Sequence, residues 1–87
     1  MFKVSILTIN KILYQANAYS ITLPGGDGEL TALPGHTSLI TPLKSGKIIV
    51  RTKPGDEFPK GKTDEFEIKS GVSEIRNGRE LIVLAEI

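Results

Sequence analysis

The chain has 87 residues, no cysteine, and a formal charge of +1 from 11 Lys+Arg against 10 Asp+Glu. That length allows one small domain, residues 1–87, and the missing thiols rule out disulfides, thiolate metal sites and cysteine nucleophiles. A non-specific nucleic-acid binder concentrates positive charge to displace counterions; here even the most charged stretch, Arg51 to Glu65, sets four basic side chains against four acidic ones.

The elements come in short strand-like runs. FKVSILTI alternates Phe2, Val4 and Ile6 with Lys3 and Ser5, a period of two. Lys3, Ser5, Thr8, Asn10 and Lys11 also break up any signal-peptide core, and no run approaches the ~20 apolar residues that span a bilayer. The chain is therefore expected to be soluble and to meet a membrane only through a partner. NAYSITL places Tyr19, Ile21 and Leu23 on one side and Ser20 and Thr22 on the other. KIIVRT turns Ile48 and Val50 inward, and DEFEIK does the same with Phe66 and Ile68. The charged stretch Thr52 to Thr63 between them reads as an exposed hairpin or loop. SGVSEIRNGRELIVLAEI is a hairpin across Asn77-Gly78, because a type I′ turn needs positive φ at both central residues. Pro-Gly and Gly-rich corners punctuate the rest. No segment holds a helical apolar period over three turns. The expected fold is all-β, a small antiparallel β-sandwich of seven to eight, up to ten, short strands.

Some apolar residues exceed what one core needs. Leu7, Ile9, Ile49, Ile82 and Leu84 fall opposite their strands' main apolar side, where a one-sided sheet should be polar. Either sandwich edges and twist bury them, or another protein covers a dry patch.

Candidate chemistry is thin. His36 is the lone histidine; its neighbours Thr37 and Ser38 lack the strained elbow of an activated serine. With no second His and no Cys, a zinc set cannot form, and GGDGEL is too short for a calcium loop. LPGGDGEL runs into the strand-like ELTAL rather than a helix, so it does not cradle phosphate. The expectation is no catalytic residue, no metal and no cofactor.

Against that background, ITLPGGDGELTALPGHTSLITPLKSGKIIVR, Ile21 to Arg51, resembles the amino-terminal β-sandwich of the F-type ATP synthase epsilon subunit. GEL, LPGH, SLIT, LKSG and IIVR stand in the family's order and spacing, and SGVSEIRNGRELIVLAE resembles its GGFVEV…N…VTVLAD. Tyr14 sits at the family's aromatic position. Ser70-Gly71 replaces a double glycine, and Asn10-Lys11 replaces a PEG turn. The two regulatory helices typical of the family do not follow Ile87, so inhibition or ATP binding through them is not carried over, and whether the short form is native is left open.

The resemblance implies a non-catalytic central-stalk subunit. It would bind gamma and rest on the polar loops of the c-ring, coupling ion-driven rotation to ATP synthesis at the cytoplasmic face of the membrane. It puts Asp27, Glu29, His36, Thr37, Ser38 and Thr41 towards the c-ring and gamma, with Leu7, Ile49, Ile82 and Leu84 as the apolar partner face. The alternative is a free-standing β-sandwich that binds a peptide or small ligand.

Overall fold

The computed structural model describes residues 2–33, 35, 38–52 and 61–87. His36, Thr37, Pro34 and the centre of the expected 52–63 loop lie outside the described residues, as does the side chain of Phe2. The described residues form nine strands and no helix: β1 (Phe2–Leu7), β2 (Ile12–Ala18), β3 (Ser20–Gly25), β4 (Gly28–Ala32), β5 (Leu39–Leu43), β6 (Gly46–Thr52), β7 (Lys62–Ile68), β8 (Ser70–Arg76) and β9 (Glu80–Glu86). The all-β expectation is met.

The strands make one sheet in the order β2-β1-β9-β8-β5-β3-β6-β7, with β4 on the other edge of β3. The sheet folds over where β5 meets β3, at Gly25↔Leu43. This leaves a front layer, β2-β1-β9-β8-β5, against a back layer, β4-β3-β6-β7. At the far side Tyr14 of β2 closes the sandwich: its ring lies 5.0 Å from that of Phe66 on β7, and its hydroxyl donates to Asp64 Oδ2 at 2.9 Å.

Alternation explains the core. Val4, Ile6, Leu81 and Val83 from the front meet Ile21, Leu23, Ile48 and Val50 from the back, all fully buried. Each such side chain contributes roughly 1.5–3 kcal/mol on burial. Ile68 is buried and Phe66 half-buried on the same face of β7, as the pattern requires.

Three features differ from the simple reading. β1 and β9 pair in parallel, Lys3↔Glu80 to Leu7↔Leu84, because the two ends of the chain lie side by side with no direct connection to reverse them. Tyr19 does not join Ile21 and Leu23 inside. It is exposed on the bend where the chain crosses from β2 to β3, between buried Ala18 and Ser20, and that crossing breaks the alternation. Ser20 and Thr22 do face outward by register with Arg51 and Ile49, yet both are buried.

The Asn77-Gly78 turn takes φ of 52° and 64°, positive at both central residues as a type I′ turn demands. Pairing resumes at Arg76↔Glu80, so Arg79 is an extra residue outside the ladder. Its carbonyl accepts the N–H of Lys3 and anchors β1 to the turn.

Candidate functional site

The front layer carries an apolar outer surface of which period-two patterning within single strands reveals only a part. Register puts Pro42 opposite Val72, Val72 opposite Leu84, Leu84 opposite Leu7, and Leu7 opposite Ile12. Register partners point to the same side of a sheet, so these five form one row across five strands. At about 4.8 Å between strands the row is roughly 19 Å long. The next row runs Ile40, Glu74, Ile82, Ser5 and Gln15. Ile40 is 69% exposed, Ile12 60% and Leu84 49%. Beside the row, the 8–11 loop and the ends of β8 and β9 border an open groove of about 590 Å³ that includes Ile9, Val72, Leu84 and Ile87.

Local chemistry builds this surface. Register slips between Ile6↔Tyr14 and Leu7↔Ile12, making Leu13 the extra residue of a bulge. The bulge packs Leu13 against the core and turns Ile12 outward. On β8 two of the three inner positions are small, Gly71 and Ser73 beside core Ile75, while Val72 faces out. A Cβ on Gly71 would lie 2.6 Å from the Leu84 carbonyl oxygen, so glycine is what lets β8 and β9 approach. Small residues inside and an apolar one outside invert the usual reading, which is why sequence patterning misses Val72, and with it Pro42, Ile40 and Ile12.

Of the expected apolar set, Leu7, Ile82 and Leu84 come together here. Ile49 does not: it lies between fully buried Ile48 and Val50 and faces out from the back layer, on the opposite side of the molecule.

The expected polar set is also divided. Asp27 is exposed in the β3–β4 turn at one end of the sandwich. Ser38 lies at the other end, where its Oγ accepts the N–H of Asn77 and the N–H of neighbouring Gly35 donates to the Gly78 carbonyl. β4 separates the two ends, roughly 17 Å for five residues. Glu29 is exposed on β4, and Thr41 is half-buried on the inner side of β5 opposite Ser73. His36 and Thr37 lie outside the described residues.

The back layer's outer side is polar. Thr22 Oγ1 and Thr31 Oγ1 share a hydrogen bond of 3.0 Å, and Arg51 Nη1 donates to Thr22 Oγ1 at 2.8 Å and Ser20 Oγ at 3.4 Å. Lys47 pairs with Glu65 at 3.4 Å on the same side. Tyr14, at the closure, has its hydroxyl pKa pushed up to about 12, first by burial and then by the hydrogen bond and charge of Asp64. Among the described residues no group of three or more His, Cys, Asp or Glu side chains could hold a metal ion.

The fold and its two unlike outer sides define a small β-sandwich domain with one apolar sheet surface open to solvent. The sequence profile of the family described as "ATP synthase, Delta/Epsilon chain, beta-sandwich domain" matches residues 1–87, and the chain belongs to that family. It is 38% identical over 84 residues to an ATP synthase epsilon chain of Sulfurimonas denitrificans and 35% identical over 83 residues to one of Desulforudis audaxviator. These matches take in 97% and 95% of this chain but 59% and 55% of those relatives. An epsilon chain of Chlorobium limicola is 33% identical, with 98% of this chain and 89% of the relative covered.

Two solved structures share the fold. A chain of the Euglena gracilis mitochondrial ATP synthase (OSCP/F1/c-ring) superposes with a TM-score of 0.83 at 19% identity, over 97% of this chain and 49% of that one. A chain of the Tetrahymena thermophila mitochondrial ATP synthase central stalk and c-ring gives 0.77 at 14% identity, over 99% and 63%.

Proposed function

We propose that this chain is a non-catalytic central-stalk subunit of an F-type ATP synthase, binding gamma and touching the c-ring so that ion-driven rotation is coupled to ATP synthesis. The observation that carries the reading is the apolar row from Pro42 to Ile12. A part that transmits torque has to stay attached under load, and an extended dry contact does this better than exposed ion pairs, each worth about 0–1 kcal/mol. Gamma covers the front layer's outer side, with Leu7, Ile82 and Leu84 near its centre. The contact continues through Ile40 to Ser38 and the connection that holds His36 and Thr37.

The opposite end meets the c-ring. Asp27 and, along β4, Glu29 offer charge to polar loops across a wet rim, where complementarity sets register more than affinity. Thr41, half-buried between the layers, shapes the ladder beneath the gamma contact. The membrane is reached only through the c-ring, on the face where the catalytic head stands.

Co-purification with gamma tests the first contact: a stable stoichiometric complex is expected at micromolar concentration, and its absence overturns the reading. The chain has no cysteine, so Asp27→Cys supplies a single thiol. It should form a disulfide with a cysteine introduced in the c-ring polar loop, whereas Ser38→Cys should not.

A further inference from the structure

We propose that Arg51, with the hydroxyls of Ser20, Thr22 and Thr31, forms a binding site for a single oxyanion group on the outer side of the back layer. The guanidinium is half-buried and its partners among the described residues are neutral: Thr22 Oγ1 at 2.8 Å and Ser20 Oγ at 3.4 Å, both taken by Nη1. The ion pairs among the described residues are Lys47–Glu65, Lys62–Asp64 and Arg76–Glu74, so no carboxylate of the described residues pairs with Arg51. Among the described residues Nε and Nη2 have no acceptor either.

The hydroxyls are built in rather than solvated. Ser20 and Thr22 are 4% and 3% exposed, and Thr22 is tied to Thr31, itself exposed. Hydroxyls that accept from a guanidinium keep their own hydrogens to donate, and the Thr22–Thr31 pair leaves one of the two free to point outward. A cation fixed by two buried acceptors, with its remaining fork unspent, matches the planar two-oxygen edge of a carboxylate or phosphoryl group.

The surroundings limit the ligand to one such group. Glu65 stands opposite Ile49, next to Arg51 along β6, and Glu29 and Glu67 share this outer side. Lys47 balances only one of these acids. A polyanion such as nucleic acid is therefore repelled, while a lone carboxylate or phosphoryl group is accepted. This site lies on the opposite side from the apolar row and does not depend on the gamma reading.

The test is a chemical-shift titration of the isotopically labelled full chain with inorganic phosphate, and separately with acetate, at constant ionic strength set by chloride. The expected result is saturable shifts at the amides of residues 20, 22, 31 and 51, with a Kd on the order of millimolar for one bidentate contact. Arg51→Gln should weaken binding at least about tenfold, and Arg51→Lys, which keeps the charge but loses the fork, severalfold. Stronger binding of acetate assigns a carboxylate; binding of phosphate alone assigns a phosphoryl group. Shifts spread over the surface lysines, or equal in wild type and Arg51→Gln, overturn the site. Should Arg51→Gln fail to fold, Thr31→Val, a β-branched swap at an exposed strand position, decides by the same comparison, since an unchanged titration there and in Arg51→Lys also overturns it.

Discussion

The two outer sides of the sandwich are made by the same device and reach opposite results. On the front, five strands bring Pro42, Val72, Leu84, Leu7 and Ile12 into line, an apolar row open to solvent. On the back, four strands line up Thr31, Thr22, Ile49 and Glu65, with Arg51 laid over Ser20 and Thr22. Strands pair residue for residue on both layers, apart from the bulge at Leu13. What differs is the residue type at the outward positions. A large apolar surface in water calls for a partner protein, whereas hydroxyls and charges can be met by water, by one another or by a small polar ligand.

The largest effect should come from placing one charge on each side. Leu84→Asp is expected to weaken gamma binding by 100-fold or more, about 3 kcal/mol, by burying an unpaired carboxylate. Ile49→Asp, on the back, should leave affinity within about threefold. Equilibrium binding by calorimetry measures both, and equal losses would erase the distinction between the sides.

Next in size is Gly71→Ala. Its Cβ would meet the Leu84 carbonyl at 2.6 Å and the Ala85 Cα at 3.2 Å, backbone atoms that cannot swing aside. A loss of about 2 kcal/mol is expected, or roughly 10 °C in Tm for a domain of this size. Thermal unfolding followed by circular dichroism would show it, and an unchanged Tm would mean that the β8–β9 ladder does not set the front surface.

Tyr14 asks whether the two layers hold each other. Tyr14→Phe removes the hydrogen bond to Asp64 and should cost about 1 kcal/mol. The folded hydroxyl titrates near 12, above the ordinary value of 10. This contribution is thus complete below pH 10 and disappears as pH rises through 12. Denaturant melts in that window should show a steeper alkaline loss for wild type than for Tyr14→Phe; parallel curves would sink the assignment.

The smallest effect is at Ser73, whose buried Oγ has no hydrogen-bond partner among the described residues. Ser73→Ala relieves an unsatisfied group and should be neutral or stabilising by up to about 1 kcal/mol. Destabilisation beyond that, in the same melts, would reveal a partner for the hydroxyl.

Much of this molecule could be read from local chemistry. The alternation in FKVSILTI, KIIVRT and LIVLAEI identified most of the core, because period two is a property of one strand by itself. Asn77-Gly78 named its own turn, since few other pairs adopt two consecutive positive φ angles. Leu7, Ile82 and Leu84 were visible as apolar residues on the wrong side of their strands. Tyr19 misled because it stands where the chain changes layer, and no pattern inside NAYSITL marks that crossing.

The amino-acid order alone therefore determined the strand content, most of the buried set and the tight turn, all of which depend on neighbours a few residues apart. Tertiary structure alone decided that Ile49 stands across the molecule from Leu84, and that Asp27 and Ser38 occupy opposite ends. It also decided that β1 runs parallel to β9. The reason is register: residues about 30 or as many as 77 positions apart become neighbours only when strands pair, and which strands pair is settled by packing around the shared core.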